Sequence, residues 1–134
     1  MNLLELANKA TKTRVLEYEG LSIGPHTQTT RISFSPSSNK MAYVTGIAVN
    51  IRRSTAPSTG GVAKVVAWVT CPGDIGRRAF GVLFYNTSVT GYIATSTSMP
   101  ILLQKGASID ITTEDGSTGG THDYIISAFV IEFS

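Results

Sequence analysis

Two stretches near the end of the chain decide its reading, LLQKGASIDI at 102–111 and DYIISAFVIEF at 123–133. In the first, Lys105 and Gly106 mark a tight turn, glycine being the residue that takes left-handed backbone without strain. Beyond it ASIDITT (107–113) alternates, with Ile109 and Ile111 on one side and Ser108, Asp110 and Thr112 on the other. That period of two predicts a half-buried strand. The second stretch is a long closing strand, apolar on both sides, so it needs cover on both faces.

The same punctuation runs back through the chain. TRVLEY (13–18) is a short strand stopped near Gly20, and TQTTRISFS (27–35) sets Ile32 and Phe34 opposite Arg31 and Ser33. MAYVTGIAVNI (41–51) alternates most clearly: Met41, Tyr43, Ile47, Val49 and Ile51 are expected on one face, Ala42, Gly46 and Ala48 on the other. VAKVVAWVT (62–70) is apolar on both faces apart from Lys64, which predicts a central strand or one lying under a partner. RRAFGVLFYN (77–86), TGYIATST (90–97) and PILL (100–103) complete the set, separated by loops such as STAPSTGG (54–61) and CPGDIG (71–76). Eight or so strands with turn signals roughly every 8–12 residues predict an all-β fold, an antiparallel β-sandwich. The strand–turn–strand at 102–111 followed by a long last strand favours jelly-roll topology. The domain is expected over 13–134, behind an arm at 1–12. In that arm Leu3, Leu6, Ala7 and Ala10 recur at helical spacing, but two turns are too short to hold a helix unaided. The segment is expected either to order on a partner or to cap the domain's own sheet.

Composition narrows the function. A chain of 134 residues is long enough for one domain with a sizeable core. Its single Cys71 cannot form an internal disulfide. Charged residues are 15% of the chain, against the usual share of about a quarter, and Ser, Thr and Gly take their place. A surface so poor in charge suits burial against copies of itself. The net charge of +2 is small, and the arginine pairs Arg52–Arg53 and Arg77–Arg78 form no tract, so no nucleic-acid partner is expected. No apolar run approaches the ~20 residues of a membrane helix. Glu5 interrupts the short apolar start, so no signal peptide is read there, and cytoplasmic synthesis of a soluble chain is expected.

The most chemical-looking stretch is TTEDGSTGGTHD (112–123). A calcium loop would need acids at alternate positions and a closing Glu, and a phosphate loop would need a helix after it. With Asp115-Gly116 and two further glycines between strands, it is expected to be a hairpin end. His26 and His122 are expected to be solvated or capping, and Cys71 to pack at a strand end. No catalytic, cofactor or metal residue is assigned. Trp68 is expected in the core, with a subunit contact or a sugar-stacking platform as alternatives. The alternative reading is a carbohydrate- or receptor-binding, lectin-like module of a virion or secreted assembly, with a shallow sugar site formed by Tyr, Trp, Asn and Asp residues of the loops 54–61, 86–91 and 114–123.

The order of arm, alternating strands, hydroxyl-rich surface, LLQKGASIDI turn and closing DYIISAFVIEFS resembles the small single jelly-roll proteins of virions, such as phage decoration (cement) and head- or tail-associated proteins. Trimeric jelly rolls of the tumour-necrosis-factor and complement-globular-head type share the K-G-x-x-I-x-I turn, here Lys105 to Ile111, and the long last strand. The resemblance implies a non-enzymatic structural role in a virion, self-association, often as a homotrimer, and a capsid partner; the apolar runs are too short for a membrane partner, and a glycan is the ligand of the alternative reading. Leu3, Leu4, Leu6, Trp68, Tyr124 and Phe129 are the candidate assembly contacts.

Overall fold

The computed structural model describes residues 2, 4–5, 10–37, 39–87, 92–97 and 100–133. Nine strands follow one another: β1 (Ala10–Ile23), β2 (His26–Phe34), β3 (Met41–Thr55), β4 (Val62–Thr70), β5 (Arg78–Asn86), β6 (Tyr92–Thr97), β7 (Ile101–Leu103), β8 (Ser108–Asp115) and β9 (Thr121–Phe133). One sheet has the order β1-β9-β3-β6, with β7 also on β3, and the other the order β2-β8-β4-β5. Strands β6 and β7 lie end to end along β3, opposite 47–52 and 42–44 respectively. Counted as one interrupted strand, they make the pairing nested: β4 with β5, β3 with β6 and β7, β2 with β8, β1 with β9. This is one long antiparallel ribbon folded at residues 71–77 and rolled into two sheets. The chain is an antiparallel β-sandwich with jelly-roll topology.

The core lies between the sheets. Ala42, Val44, Ile47, Val49, Ile51, Ile126, Ala128 and Val130 from the first sheet meet Ile32, Phe34, Ala63, Val65, Ala67, Ile109 and Ile111 from the second. Among the described residues no helix is long and apolar enough to cross a membrane. At the start of the chain, the Oδ1 of Asn2 accepts a hydrogen bond from the amide of Glu5 at 2.8 Å, as a helix cap does.

Three expectations are corrected. First, β3 does not keep one face. Val44 pairs with Val130 and Gly46 with Phe129, so Thr45 is an unpaired extra residue, a β-bulge. It reverses the alternation: Ala42 and Val44 point inward before it and Ile47, Val49 and Ile51 after it, while Met41 and Tyr43 turn outward and stay half-exposed. Second, β1 does not stop before Gly20. It starts at Ala10, inside the expected arm, and runs to Ile23. Gly20 is buried, and the end of the Tyr18 side chain lies over the space a Cβ would take there. Third, residues 112–123 are not a hairpin end. Strand β8 pairs with β2 and β4 whereas β9 pairs with β1 and β3, so the segment between them arches from one sheet to the other.

Candidate assembly interface

Alternation along β9 sends Tyr124, Ile126, Ala128 and Val130 into the core and Ile125, Phe129 and Ile131 outward. Pairing then places like beside like. Phe129 lies between Val15 on β1 and Gly46 on β3, and Ile131 between Thr13 and Tyr43; Tyr43 in turn pairs with Leu102 on β7. Tyr43 stacks on Phe133, with centroids 6.2 Å apart. The result is an apolar band across the outer face of the sheet, at the end where the chain enters β1. Val15 (48%), Phe129 (42%) and Leu102 (41%) are the exposed large apolar residues on it, while Ile125 (44%) lies further along β9, between Glu19 and Asn50. Toward the other end the face becomes polar, with Glu17, Glu19, Ser127, Asn50 and the Arg52–Asp123 ion pair at 2.7 Å. Asp123 also accepts a hydrogen bond from the amide of Ser22 at 2.8 Å. That amide, and then Arg52, hold its carboxyl below the usual range.

The outer face of the second sheet is built differently. Trp68, expected in the core, points outward from β4. Its indole N–H donates to the Thr112 hydroxyl at 3.0 Å, and the Arg77 guanidinium lies over the ring, 4.6 Å from its centroid. The outward Val66 and Thr112 are nonetheless buried, at 8% and 2% exposure. Ion pairs join Lys64 to Glu114 (3.0 Å) and Arg77 to Asp110 (3.7 Å), and Ser33 donates to Asp110 at 2.6 Å.

Asp115 and the two histidines gather at one end of the sandwich. His122, expected in solvent, is fully buried, because the inward alternation of β9 reaches it. Its Nδ1 donates to Asp115 Oδ2 at 3.0 Å, while Asp115 Oδ1 accepts from the Ser117 amide (2.9 Å) and hydroxyl (2.7 Å). The carboxylate, not the imidazole, therefore stands between Ser117 and His122, which is the wrong order for a base that activates a serine. His26 Nδ1 donates to the Gly24 carbonyl at 2.8 Å, leaving Nε2 to accept from the Thr113 hydroxyl at 2.8 Å, which itself accepts from Arg31 Nε at 2.9 Å. Both imidazoles flank the ring of Tyr124, with centroids at 6.1 and 6.4 Å. The Tyr124 hydroxyl has no hydrogen-bond partner among the described residues, and burial pushes its pKa up. The arching segment is fixed from outside by the 54–61 loop: Thr118 exchanges backbone hydrogen bonds with Ser58 and Thr59. A Cβ on Gly61 would meet the backbone of Gly116 at 2.8 Å, so the two segments touch main chain to main chain. The polar groups of the 54–61 loop and the arching segment thus engage each other, and residues 88–91 of the third loop of the expected sugar site lie outside the described residues.

At the opposite end Glu132 is buried. It accepts from the Ser37 amide and pairs with Arg14 at 3.4 Å; the amide first and then the guanidinium keep its carboxyl below the usual range. Cys71 is exposed in the turn after β4, far from either histidine along the sheet, and its amide is capped by Asp74. Among the described residues no group of three or more His, Cys, Asp and Glu is arranged to hold a metal ion.

Of the six candidate contacts, the structure places Phe129 on the apolar band and Trp68 on the opposite face. Tyr124 is in the interior, 0% exposed, and is out of reach of a second subunit. Leu4 is 70% exposed, while Leu3 and Leu6 lie outside the described residues. Val15, Leu102 and Ile131 were missed; the signal for the last was the two-sided apolarity of DYIISAFVIEF itself.

No protein-family model matches the chain, and no curated protein does. Among solved structures it is similar to a subunit of Bacillus endospore appendages, a family of disulfide-linked pili, at 13% identity and a TM-score of 0.48, over 92% of this chain and 88% of that one. It is also similar to murine APRIL, at 12% identity and a TM-score of 0.46, over 86% and 98%. Likenesses at this level leave the function to be argued from the chain itself.

Proposed function

We propose that this chain is a non-enzymatic structural protein that self-associates through the outer face of the β1-β9-β3 sheet, as a homotrimer, and decorates or reinforces a viral capsid. One observation carries the self-association: the contiguous band of Val15, Phe129, Ile131, Tyr43 and Leu102, part-exposed in the single chain. Contiguous apolar patches on soluble proteins mark interaction sites more often than isolated apolar residues do. The low charge of the chain supports the same reading. The trimeric state, the capsid partner and residence in the virion rest on the sequence resemblance described above. The leucine-bearing arm enters β1 at Ala10, which pairs with Phe133 at the apolar end of the face. In this reading the arm clasps a neighbouring subunit.

Light scattering on the purified chain at micromolar concentration tests the proposal. A trimer mass supports it, and a monomer mass contradicts it. Removing residues 2–9 should leave the far-ultraviolet dichroism unchanged and weaken the oligomer. A deletion that instead lowers the melting temperature of a monomer would make the arm part of the domain's own core.

A further inference from the structure

The geometry points to a second, independent site on the opposite face of the sandwich: a depression beside Trp68 that takes one uncharged sugar ring. Its volume is about 200 Å³, and its floor is Val66, Ala79 and the Trp68 side chain. Its rim is Gln28, Lys64 and Glu114. Pockets for drug-sized ligands run to roughly 300–1,000 Å³. This one is a single-ring space open to solvent on one side, as suits a terminal residue of a glycan whose remainder stays in water.

The chemistry of the lining selects among small ligands. Lys64 is held by Glu114 at 3.0 Å and Arg77 by Asp110 at 3.7 Å, so these cations are already neutralised and an anion such as a phosphate gains little. A purely apolar ligand would displace the water around the exposed Gln28 amide and the open side of the Lys64–Glu114 pair without replacing its hydrogen bonds, which is unfavourable. An uncharged pyranose matches both parts of the site: its C–H face meets the floor, and its hydroxyls both donate and accept at the rim. Glu114 accepts, Lys64 donates, and the Gln28 amide does either. The site is also held in shape before any ligand arrives. The indole is anchored on the Thr112 hydroxyl, which is itself buried, and Arg77 lies over the ring. Side chains fixed in this way lose little freedom on binding.

Trp68 is the only tryptophan in the chain, so fluorescence excited at the red edge, where the five tyrosines do not absorb, reports on the surroundings of this one side chain. The test is a titration of the intact protein with the methyl glycosides of glucose, galactose, mannose and N-acetylglucosamine in the millimolar range, with oligomer mass measured on the same samples. At least one glycoside should change the emission saturably, and Glu114→Gln and Gln28→Ala should each abolish that response without altering the oligomer mass. The inference is overturned if none of the four gives a saturable change, or if both variants retain it. Because the depression and the apolar band lie on different sheets, loss of one leaves the other standing.

Discussion

Strands β4 and β9 both carry apolar residues on their outward faces, Val66 and Trp68 on the first, Ile125, Phe129 and Ile131 on the second. From sequence alone both strands ask for a second cover, and the fold answers them differently. On β4 the cover is intramolecular: Trp68 is bonded to Thr112, Arg77 lies over its ring, and the outward Val66 and Thr112 are closed from solvent. On β9 the neighbouring strands add Val15, Tyr43 and Leu102, more apolar surface instead of a roof. Two-sided apolarity in a strand therefore does not say by itself where a cover comes from; on β4 it is the same chain, and on β9 we propose a second copy.

The comparison can be sharpened by substitutions that separate inward from outward roles. Ile126→Ala removes a fully buried core side chain of β9 and should cost about 2–5 kcal/mol in denaturant unfolding. A much smaller cost would mean that the inward face of β9 is not the core. His122→Ala removes the imidazole hydrogen bond to the buried Asp115 side chain, and losing such a buried partner is expected to cost about 1–3 kcal/mol. Thermal melts would check this, and a neutral result would imply that the arching segment is held by the 54–61 loop alone. Trp68→Ala should cost about 2 kcal/mol, since it unroofs Val66 and Thr112, yet leave the oligomer mass unchanged. If it dissociated the oligomer, the β4 face would be an interface too and the contrast between the strands would fail.

A smaller effect is expected with pH. Asp123 and Glu132 have carboxyls held below their ordinary values by the amides of Ser22 and Ser37 and by arginines. Groups with lowered folded-state pKa stabilise the fold above the unfolded carboxylate range, about pH 4, and that contribution is lost as the pH falls through the folded values. Stability should therefore be insensitive to these groups near neutrality and decline in acid. In Glu132→Gln the acid decline should be shallower; an identical profile would show that Glu132 does not contribute to it.

Much of the fold is written in local pattern. Strand β4 is read at its exact ends, and the other strands are found because period-two alternation and glycine-rich punctuation are properties of adjacent residues. The errors come where one residue changes meaning through its partners. Thr45 looks like any strand residue, but as a bulge it reverses which side of β3 faces the core. The 112–123 segment has the composition of a hairpin end, and only the assignment of β8 and β9 to different sheets shows that it is an arch. His122 looks solvated beside Asp123, and its burial follows from the inward phase of β9. For the candidate interface, Phe129 was legible and Val15 and Leu102 were not. Each is a single apolar residue in an otherwise mixed segment, and pairing with β9 or β3 is what gathers them into a band.

The most direct test of the assembly face is Phe129→Lys, compared with the unaltered protein by sedimentation velocity. Phe129 is outward and 42% exposed, so the substitution should change the stability of the single domain by no more than about 0.5 kcal/mol. In the oligomer it would place a charge at the centre of a desolvated apolar contact. The account predicts an oligomeric parent and a monomeric variant with an unchanged melting temperature for the monomeric domain. An oligomer that survives Phe129→Lys intact would contradict it, and so would a parent that sediments as a monomer.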